Sequence, residues 1–462
     1  MNLPPRSLET LLLAAAVLLA GGCATYHPMP LGDLKQSLEP PSGDTLRVAA
    51  SEIRHPILSP VELNAKKGVS PDEAAVLAVI LNPNLRAVRD QRALASAQLI
   101  QAGILPNPQV GYSPDYVTGG NTDGTMSAYG FTASWEITSV LQRRAKIKSA
   151  KLSSQSVDLE VAWEEWQVAQ TAKLSVYKLL AAREELTLAR EMDIRLKENA
   201  GLLKKAADAH EKGVLDEAAA EAASEDAHGI VLELEQEVAH DLLALKHAIG
   251  LPPDAPLNLR SDLAFPSHLD LPAQSSLAND FEEHRLDLLA LKLGYQSQEE
   301  TLRAAIIAQF PKISLGFQKA SDTSNVHTAG FGVTIDLPIL DRNQGNIATE
   351  KATRQKLLDE YTGRVFDARS DIATAYADIA AITRQIAHAE DAVPVLQRLV
   401  TTFESAMGQG NTDILSYYKA RNDLSQKNIQ ILKLKELLIE NQVALELAAG
   451  RFIPGNSKGN AK

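Results

Sequence analysis

Tyr129-Gly130-Phe131-Thr132-Ala133-Ser134-Trp135-Glu136-Ile137 and Ala329-Gly330-Phe331-Gly332-Val333-Thr334-Ile335-Asp336-Leu337 are two versions of one segment, 200 positions apart. In each, large apolar residues alternate with small or polar ones, the pattern of a strand with one greasy face. Each has a partner just upstream. Val110, Tyr112 and Tyr116 alternate before the first, and Ile313, Leu315 and Phe317 before the second. Strands are expected over about 108–117 and 127–137, then 312–320 and 328–337. At roughly ten residues each they are long enough to cross a bilayer when tilted. The apolar set is Tyr129, Phe131, Trp135, Ile313, Leu315, Phe317, Phe331, Val333 and Ile335. These are the expected lipid-facing positions.

The same offset carries outward. Ala145-Lys146-Ile147 meets Gly345-Asn346-Ile347, and Ala244-Leu245 through Gly250 meets Ala444-Leu445 through Gly450. A repeat this long is no solenoid unit; it makes each copy half of a pseudo-symmetric subunit. Between the strands lie long helical stretches. Residues 142–212 read as one helix of about 71 residues, near 105 Å at 1.5 Å per residue. The returning stretch 213–250 and the stretch 278–310 sum to about the same length, so end to end they would match it. In the second copy 343–409 is balanced in the same way by 412–450 and the helix at 73–104. Ser70-Pro71-Asp72-Glu73 is a helix start, with Ser70 as cap and Pro71 in the first turn. Tyr417, Leu424, Ile431, Leu438 and Leu445 recur every seventh residue, and Val231, Leu234, Val238, Leu242, Leu245 and Ile249 step by three or four. Such spacing marks helices packed knobs into holes.

Four strands are too few for a soluble sandwich of 462 residues, and no second sheet exists to cover their apolar faces. They are also too few to close alone in a membrane, where an open edge leaves backbone groups without hydrogen-bond partners. The smallest membrane barrels have eight strands. Copies must therefore pool their strands. Two, three or four copies are compatible with the sequence, and three would give twelve strands.

The N-terminus reads as an export signal. Arg6 precedes an apolar run, Leu11 to Ala20, too short to span a membrane. Leu18-Leu19-Ala20-Gly21-Gly22-Cys23 resembles a bacterial lipobox, which would make Cys23 the lipidated first residue of the mature chain. The expected organisation is a signal peptide at 1–22, a lipid-anchored arm at 23–70, a first repeat at 71–250, a linker at 251–277, a second repeat at 278–450 and a tail at 451–462. Cys23 is the only cysteine, so no disulfide framework is available. The net charge of -12 argues against nucleic acid as a partner.

The export signal, the doubled helix–hairpin–long helix–helix pattern and Leu337-Pro338-Ile339-Leu340-Asp341-Arg342-Asn343-Gln344-Gly345-Asn346-Ile347 together resemble the TolC-type outer membrane factors of tripartite efflux pumps. The resemblance covers about residues 70–450, and the Leu-Pro-Ile-Leu-Asp-Arg-Asn-Gln-Gly stretch is most similar to the branch serving heavy-metal exporters such as CzcC and CusC. It implies a mainly α fold with a small membrane β part. In a homotrimer, a 12-stranded barrel in outer membrane lipid would continue into a periplasmic α-helical barrel. It also implies passive conduction, driven by an inner-membrane pump of RND type through a periplasmic adaptor. Heavy-metal cations are the cargo this branch suggests; drug efflux and type I secretion are alternatives within the same class. A different class remains open: a lipid-anchored periplasmic coiled-coil scaffold or adaptor without a channel.

Two helix turns occupy matching places, Gly213-Val214-Leu215-Asp216 and Gly410-Asn411-Thr412-Asp413. Glycine is expected to end one helix in a left-handed conformation and aspartate to cap the next. The resemblance makes these the tips that meet the adaptor and close the inner end. Where relatives carry constricting aspartates, this chain has Ser416-Tyr417-Tyr418-Lys419, so Tyr417, Tyr418 or Lys419 would line the constriction instead.

No other chemistry stands out. His228, His240 and His247 share a helix without a tight paired-histidine spacing, so no metal site is expected. Trp163 and Trp166 are expected in a helix seam. No phosphate-cradling loop or nucleophile elbow is present, so neither an enzyme nor a cofactor is expected.

Overall fold

A computed structural model describes residues 24–29, 31–32, 39–64, 67–211, 213–266, 269–408 and 414–453. Residues 1–40 and 41–462 are two separate units. The described residues of the first carry no helix or strand. Cys23 and the tip Gly410, Asn411, Thr412 and Asp413 lie outside the described residues.

The second unit opens with α1 (Gly43–Ser51), capped by the Ser42 hydroxyl, inside the stretch expected to be an extended arm. Next comes α2 (Pro71–Leu81), which starts as expected. Ser70 and Glu73 form a reciprocal capping box and Pro71 occupies the first turn. The helix expected to run on to residue 104 instead breaks at Asn82. Pro83 has no N–H to continue the hydrogen-bond ladder and opens α3 (Pro83–Gly103). Strands β1 (Gln109–Asp115) and β2 (Ala128–Glu136) follow, then α4 (Ser139–Asp208) and α5 (Val214–Ile249). The second copy repeats the order with α6 (Gln274–His284), α7 (Leu286–Ile307), β3 (Lys312–Ser321), β4 (His327–Asp336), α8 (Gln344–Gly408) and α9 (Ile414–Ala449). The linker expected to reach residue 277 thus ends inside α6.

The repeat is physical as well as textual. Leu179 and Ile379 are both fully buried, as are Leu245 and Leu445, each pair separated by the same 200 positions. One core cluster joins α2, α4 and α5 through Leu77, Leu81, Val176, Leu179, Leu245 and Ile249. Its counterpart joins α6, α7, α8 and α9 through Phe281, Leu288, Ile372, Ile379, Leu438 and Leu445. The heptad positions Tyr417, Ile431, Leu438 and Leu445 are all buried. Trp166 is fully buried with its ring edge-on to Phe452 at 4.6 Å, and Trp163 lies under the Arg285 guanidinium at 5.2 Å.

Helix lengths set the columns, but the end-to-end partners are exchanged relative to the sequence expectation. The end of α5 does not meet the second-copy helix. Gly250, at φ 89°, sits so close to Asn82 that a Cβ there would lie 2.7 Å from the Asn82 Cα. Asn82 stitches the join: its Nδ2 donates to the Ala248 carbonyl at 3.1 Å, and its Oδ1 accepts from the Asn84 N–H at 2.9 Å. So α5 continues into α3. Likewise Gly450, at φ 68°, abuts Arg285, and α9 continues into α7. Length could not separate the two pairings, because α5 and α9 both have 36 residues while α3 and α7 have 21 and 22.

Four columns result, side by side in one layer. Column α3 plus α5 packs on α4, α4 packs on α7 plus α9, and α7 plus α9 packs on α8. At 70 residues α4 spans about 105 Å.

Candidate functional site

At one end of the columns the strands form a single antiparallel sheet in the order β1-β2-β3-β4. The middle pairing, β2 with β3, joins the two copies, and Thr138 locks it: its buried hydroxyl accepts the Ile313 N–H at 2.6 Å. Register decides the faces, since directly paired residues in an antiparallel sheet share a side. Trp135 pairs with Leu315 and Leu315 with Val333. Ala133 pairs with Phe317 and Phe317 with Phe331, and Ile313 pairs with Ile335. Tyr129 and Phe131 follow on β2, opposite Pro114 and Tyr112 of β1. All nine expected apolar positions therefore lie on one face. Phe331 is 91% exposed and stacks on Phe317 with ring centroids 5.4 Å apart. Trp135 anchors the helix end of the face by donating its Nε1–H to the Pro106 carbonyl at 2.8 Å. At the loop end Lys319, Ser321 and His327 interrupt the apolar run.

The opposite face carries no large apolar residue. Gly111, Ser113, Gly130, Thr132, Ser134, Ser314, Gly316, Gln318, Gly330, Gly332 and Thr334 fill most of it. Its charged positions are Asp115, Glu136, Lys312 and Asp336. A sheet with one apolar exposed face and one polar face suits a wall between lipid and water.

Both layers are open, and on the same sides. Among the described residues β1 pairs only with β2, and β4 only with β3. Strand β1 follows α3 in the outer column on one side, while β4 leads into α8 in the outer column on the other. The turn from β4 to α8 is the Leu337–Asn343 stretch. Asp341 Oδ1 accepts the Asn343 N–H at 2.8 Å, and the Asn343 amide reaches the Ala305 carbonyl at 2.7 Å. Asn343 takes a left-handed φ of 60°, which asparagine tolerates better than most residues. These contacts account for Asp341 and Asn343 in that stretch. In the first copy Ser139 N–H bonds to Glu136 Oε1 at 2.8 Å, and the helix starts several residues earlier.

At the far end the first tip differs from expectation. Gly213 is extended, at φ -80°, and stands as the cap of α5. The left-handed residue that ends α4 is His210, at φ 59°. Asp216 lies in the first turn of α5, where its charge suits the helix N-terminus, and is not the cap. Val214 and Leu215 are 76% and 86% exposed. Just above, Tyr417 is buried between α8 and α9 with Val400 and Ala420. Its hydroxyl accepts from Arg421 Nη1 at 2.7 Å, and Tyr418 packs edge-on at 5.2 Å. Burial pushes both phenols above their ordinary range. Ser416 is half-buried and Lys419 exposed.

Two groups escaped the sequence reading. His55 holds residues 53–58 against α4: its Nδ1 accepts the N–H groups of Ile57 and Leu58 at 3.1 Å, and Nε2 donates to the Ala162 carbonyl at 2.9 Å. Burial lowers its pKa below the ordinary 6.5. Glu446 is fully buried and accepts from Gln170 at 2.6 Å, Lys173 at 3.2 Å, Gln442 at 3.1 Å and the Ile453 N–H at 3.3 Å. Nothing periodic marks either residue. His228 and His240 lie beside Asp193 and Asp241, and no cluster of three metal-ligating side chains occurs among the described residues.

Residues 277–451, the second copy, match the family described as outer membrane efflux protein. Solved structures extend the likeness to both copies. The chain is similar to CusC, a structure described for its transmembrane channel formation, at 19% identity and TM-score 0.67, over 86% of this chain and 98% of that one. The chain has the outer membrane efflux fold. MtrE, the outer membrane channel of Neisseria gonorrhoeae, gives 19% identity and TM-score 0.68 over 88% of this chain and 98% of that one. The outer membrane protein VceC of Vibrio cholerae gives 16% and 0.69 over 83% and 97%. No curated protein sequence matches the chain.

Proposed function

We propose that this chain is the outer membrane channel of a tripartite efflux system, working as a homotrimer. The observation that carries the reading is the coincidence of the open edges. Among the described residues, strands β1 and β4 lack a strand partner on their outer edges, and the columns α3 plus α5 and α8 lack a further column on the same two sides. Lipid offers no hydrogen bonds to a strand edge, so β4 of one copy must meet β1 of the next. The same rotation brings α8 beside the next copy's α3 and α5. Three copies then give twelve strands and twelve helix columns around one axis. The apolar face points to lipid and the Gly, Ser and Thr face to water.

The conduit does no chemistry of its own. The exposed Val214 and Leu215 are the proposed contact for the periplasmic adaptor, with Gly410, Asn411, Thr412 and Asp413 completing the second tip. Because Tyr417 is used inside the α8–α9 seam, Lys419 is the better candidate to line the inner end, with Ser416 beside it. Cys23 is the proposed lipid anchor. On the polar face Asp115, Glu136 and Asp336 outnumber Lys312, which favours cationic cargo and fits heavy-metal cations. The test is particle mass in detergent together with conductance in planar bilayers. A conducting trimer is expected, and a water-soluble monomer would overturn the proposal.

A further inference from the structure

The level where strands give way to helices carries apolar side chains that are exposed within one chain. Leu337, Ile339 and Leu340 are 68%, 71% and 90% exposed in the β4–α8 turn. Leu141, 63% exposed, holds the corresponding level of the first copy. Arginines accompany them: Gln142-Arg143-Arg144 aligns with Arg342-Asn343-Gln344 under the repeat offset. Arg143 and Arg342 each donate Nε to a backbone carbonyl, those of Gly103 and Pro338. None of the three has a carboxylate within ion-pair distance among the described residues. Further along the helices this changes. Lys148 and Arg303 pair with Glu300 at 2.5 and 3.4 Å, and Arg354 with Glu299 at 3.4 Å.

We propose that this junction is a binding surface for anionic phospholipid of the inner leaflet, here represented by phosphatidylglycerol. On the channel reading above, on which this inference rests, the apolar sheet face lies in lipid. Leu337 continues that face one step past β4, so the turn enters the boundary between acyl chains and headgroups. Trp135, with its indole N–H satisfied, marks the same boundary. Arginines left without carboxylates at that depth match phosphate in charge and in forked geometry. Each half of each copy carries arginine at this level, Arg143 and Arg144 in the first and Arg342 in the second, at neighbouring rather than equivalent positions. The surface therefore fastens the barrel's periplasmic rim to the leaflet beneath it.

The test uses full-length trimer in detergent micelles containing equal amounts of phosphatidylglycerol and phosphatidylcholine, with retained lipid counted by native mass spectrometry. Wild type should retain phosphatidylglycerol preferentially. The preference should fall by about fivefold for each of Arg143→Gln, Arg144→Gln and Arg342→Gln. Leu340→Asp should lose both lipids. Equal retention of the two lipids by wild type, or an undiminished preference in the triple arginine variant, would overturn the proposal. So would efficient disulfide formation between copies carrying Leu340→Cys and Ile104→Cys, which would make the patch a contact between neighbours. Heat-modifiable trimers are scored in the same samples. Their absence in wild type removes the channel reading as well, whereas intact trimers without lipid preference remove this inference alone.

Discussion

Replacing Phe331 with arginine probes the face assignment most sharply. Phe331 is 91% exposed within one chain, yet it sits mid-strand in register with Phe317, its ring 5.4 Å away. In a barrel that side chain lies against acyl chains, where arginine costs about 2–4 kcal/mol near the midplane. Loss of the aromatic pair adds about 0.5–1.5 kcal/mol. Three copies bear the charge together, so the barrel loses about 6–12 kcal/mol from the charge alone. That is comparable to the entire stability of a typical fold, about 5–15 kcal/mol. Phe331→Arg should therefore abolish heat-modifiable trimers in outer membrane fractions. Thr334→Arg, three residues along the same strand but on the polar face, should leave them at near wild-type yield. Wild-type yield of the Phe331 variant, or equal loss in both, would refute the orientation.

Other outcomes follow from the joins and the buried charges. Gly250→Ala and Gly450→Ala should each destabilise by at least about 1–2 kcal/mol, because both positions are left-handed and a Cβ would collide with Asn82 or Arg285; thermal unfolding measures this. Glu446→Ala strands the buried Lys173 ammonium and should cost about 3–5 kcal/mol in denaturant unfolding, with Lys173→Met added to it restoring part of the loss. His55 titrates below its ordinary 6.5 in the fold, so the unfolded chain takes up a proton that the folded chain refuses. The stability it lends is complete above pH 6.5 and is lost as pH falls through the lowered value; the hydrogen-exchange protection factors of residues 53–58, taken relative to the intrinsic amide rate at each pH, should therefore fall on acidification, and His55→Phe should flatten that dependence. Burial raises Glu436, which has the opposite sign: the stability it lends is full below the ordinary 4.5 and is lost as pH rises through the raised value. Glu436→Gln should then raise the melting temperature at pH 7 but not at pH 4.

The strand faces, the repeat offset and the heptad seam were legible because each depends on periodicity within one element. Trp135, Phe317 and Phe331 alternate in sequence as they do in space. What stayed hidden depends on contacts between distant segments. The breaks in the two shorter columns show this. Asn82-Pro83 carries a local signal, the missing N–H, whereas Arg285 carries none and is placed by Asp287 and Trp163. The pairing of α5 with α3 could not be read from length, since both copies offer helices of nearly equal size. At the first tip glycine suggested the left-handed position, but His210 adopts it and Gly213 is extended. Tyr417 belongs to the heptad, which already implied a seam position, and the structure uses it there.

The channel is a wall with lipid on one side and a water-filled path on the other, closed by neighbouring copies, as proposed above. Single-channel recording of cysteine variants under a bulky, water-soluble thiol reagent tests this directly. Thr334→Cys trimers should lose conductance in steps as each copy reacts, while Phe331→Cys trimers in the same bilayer should be unaffected. Protein that never conducts, or a reagent that blocks both variants alike, would contradict it.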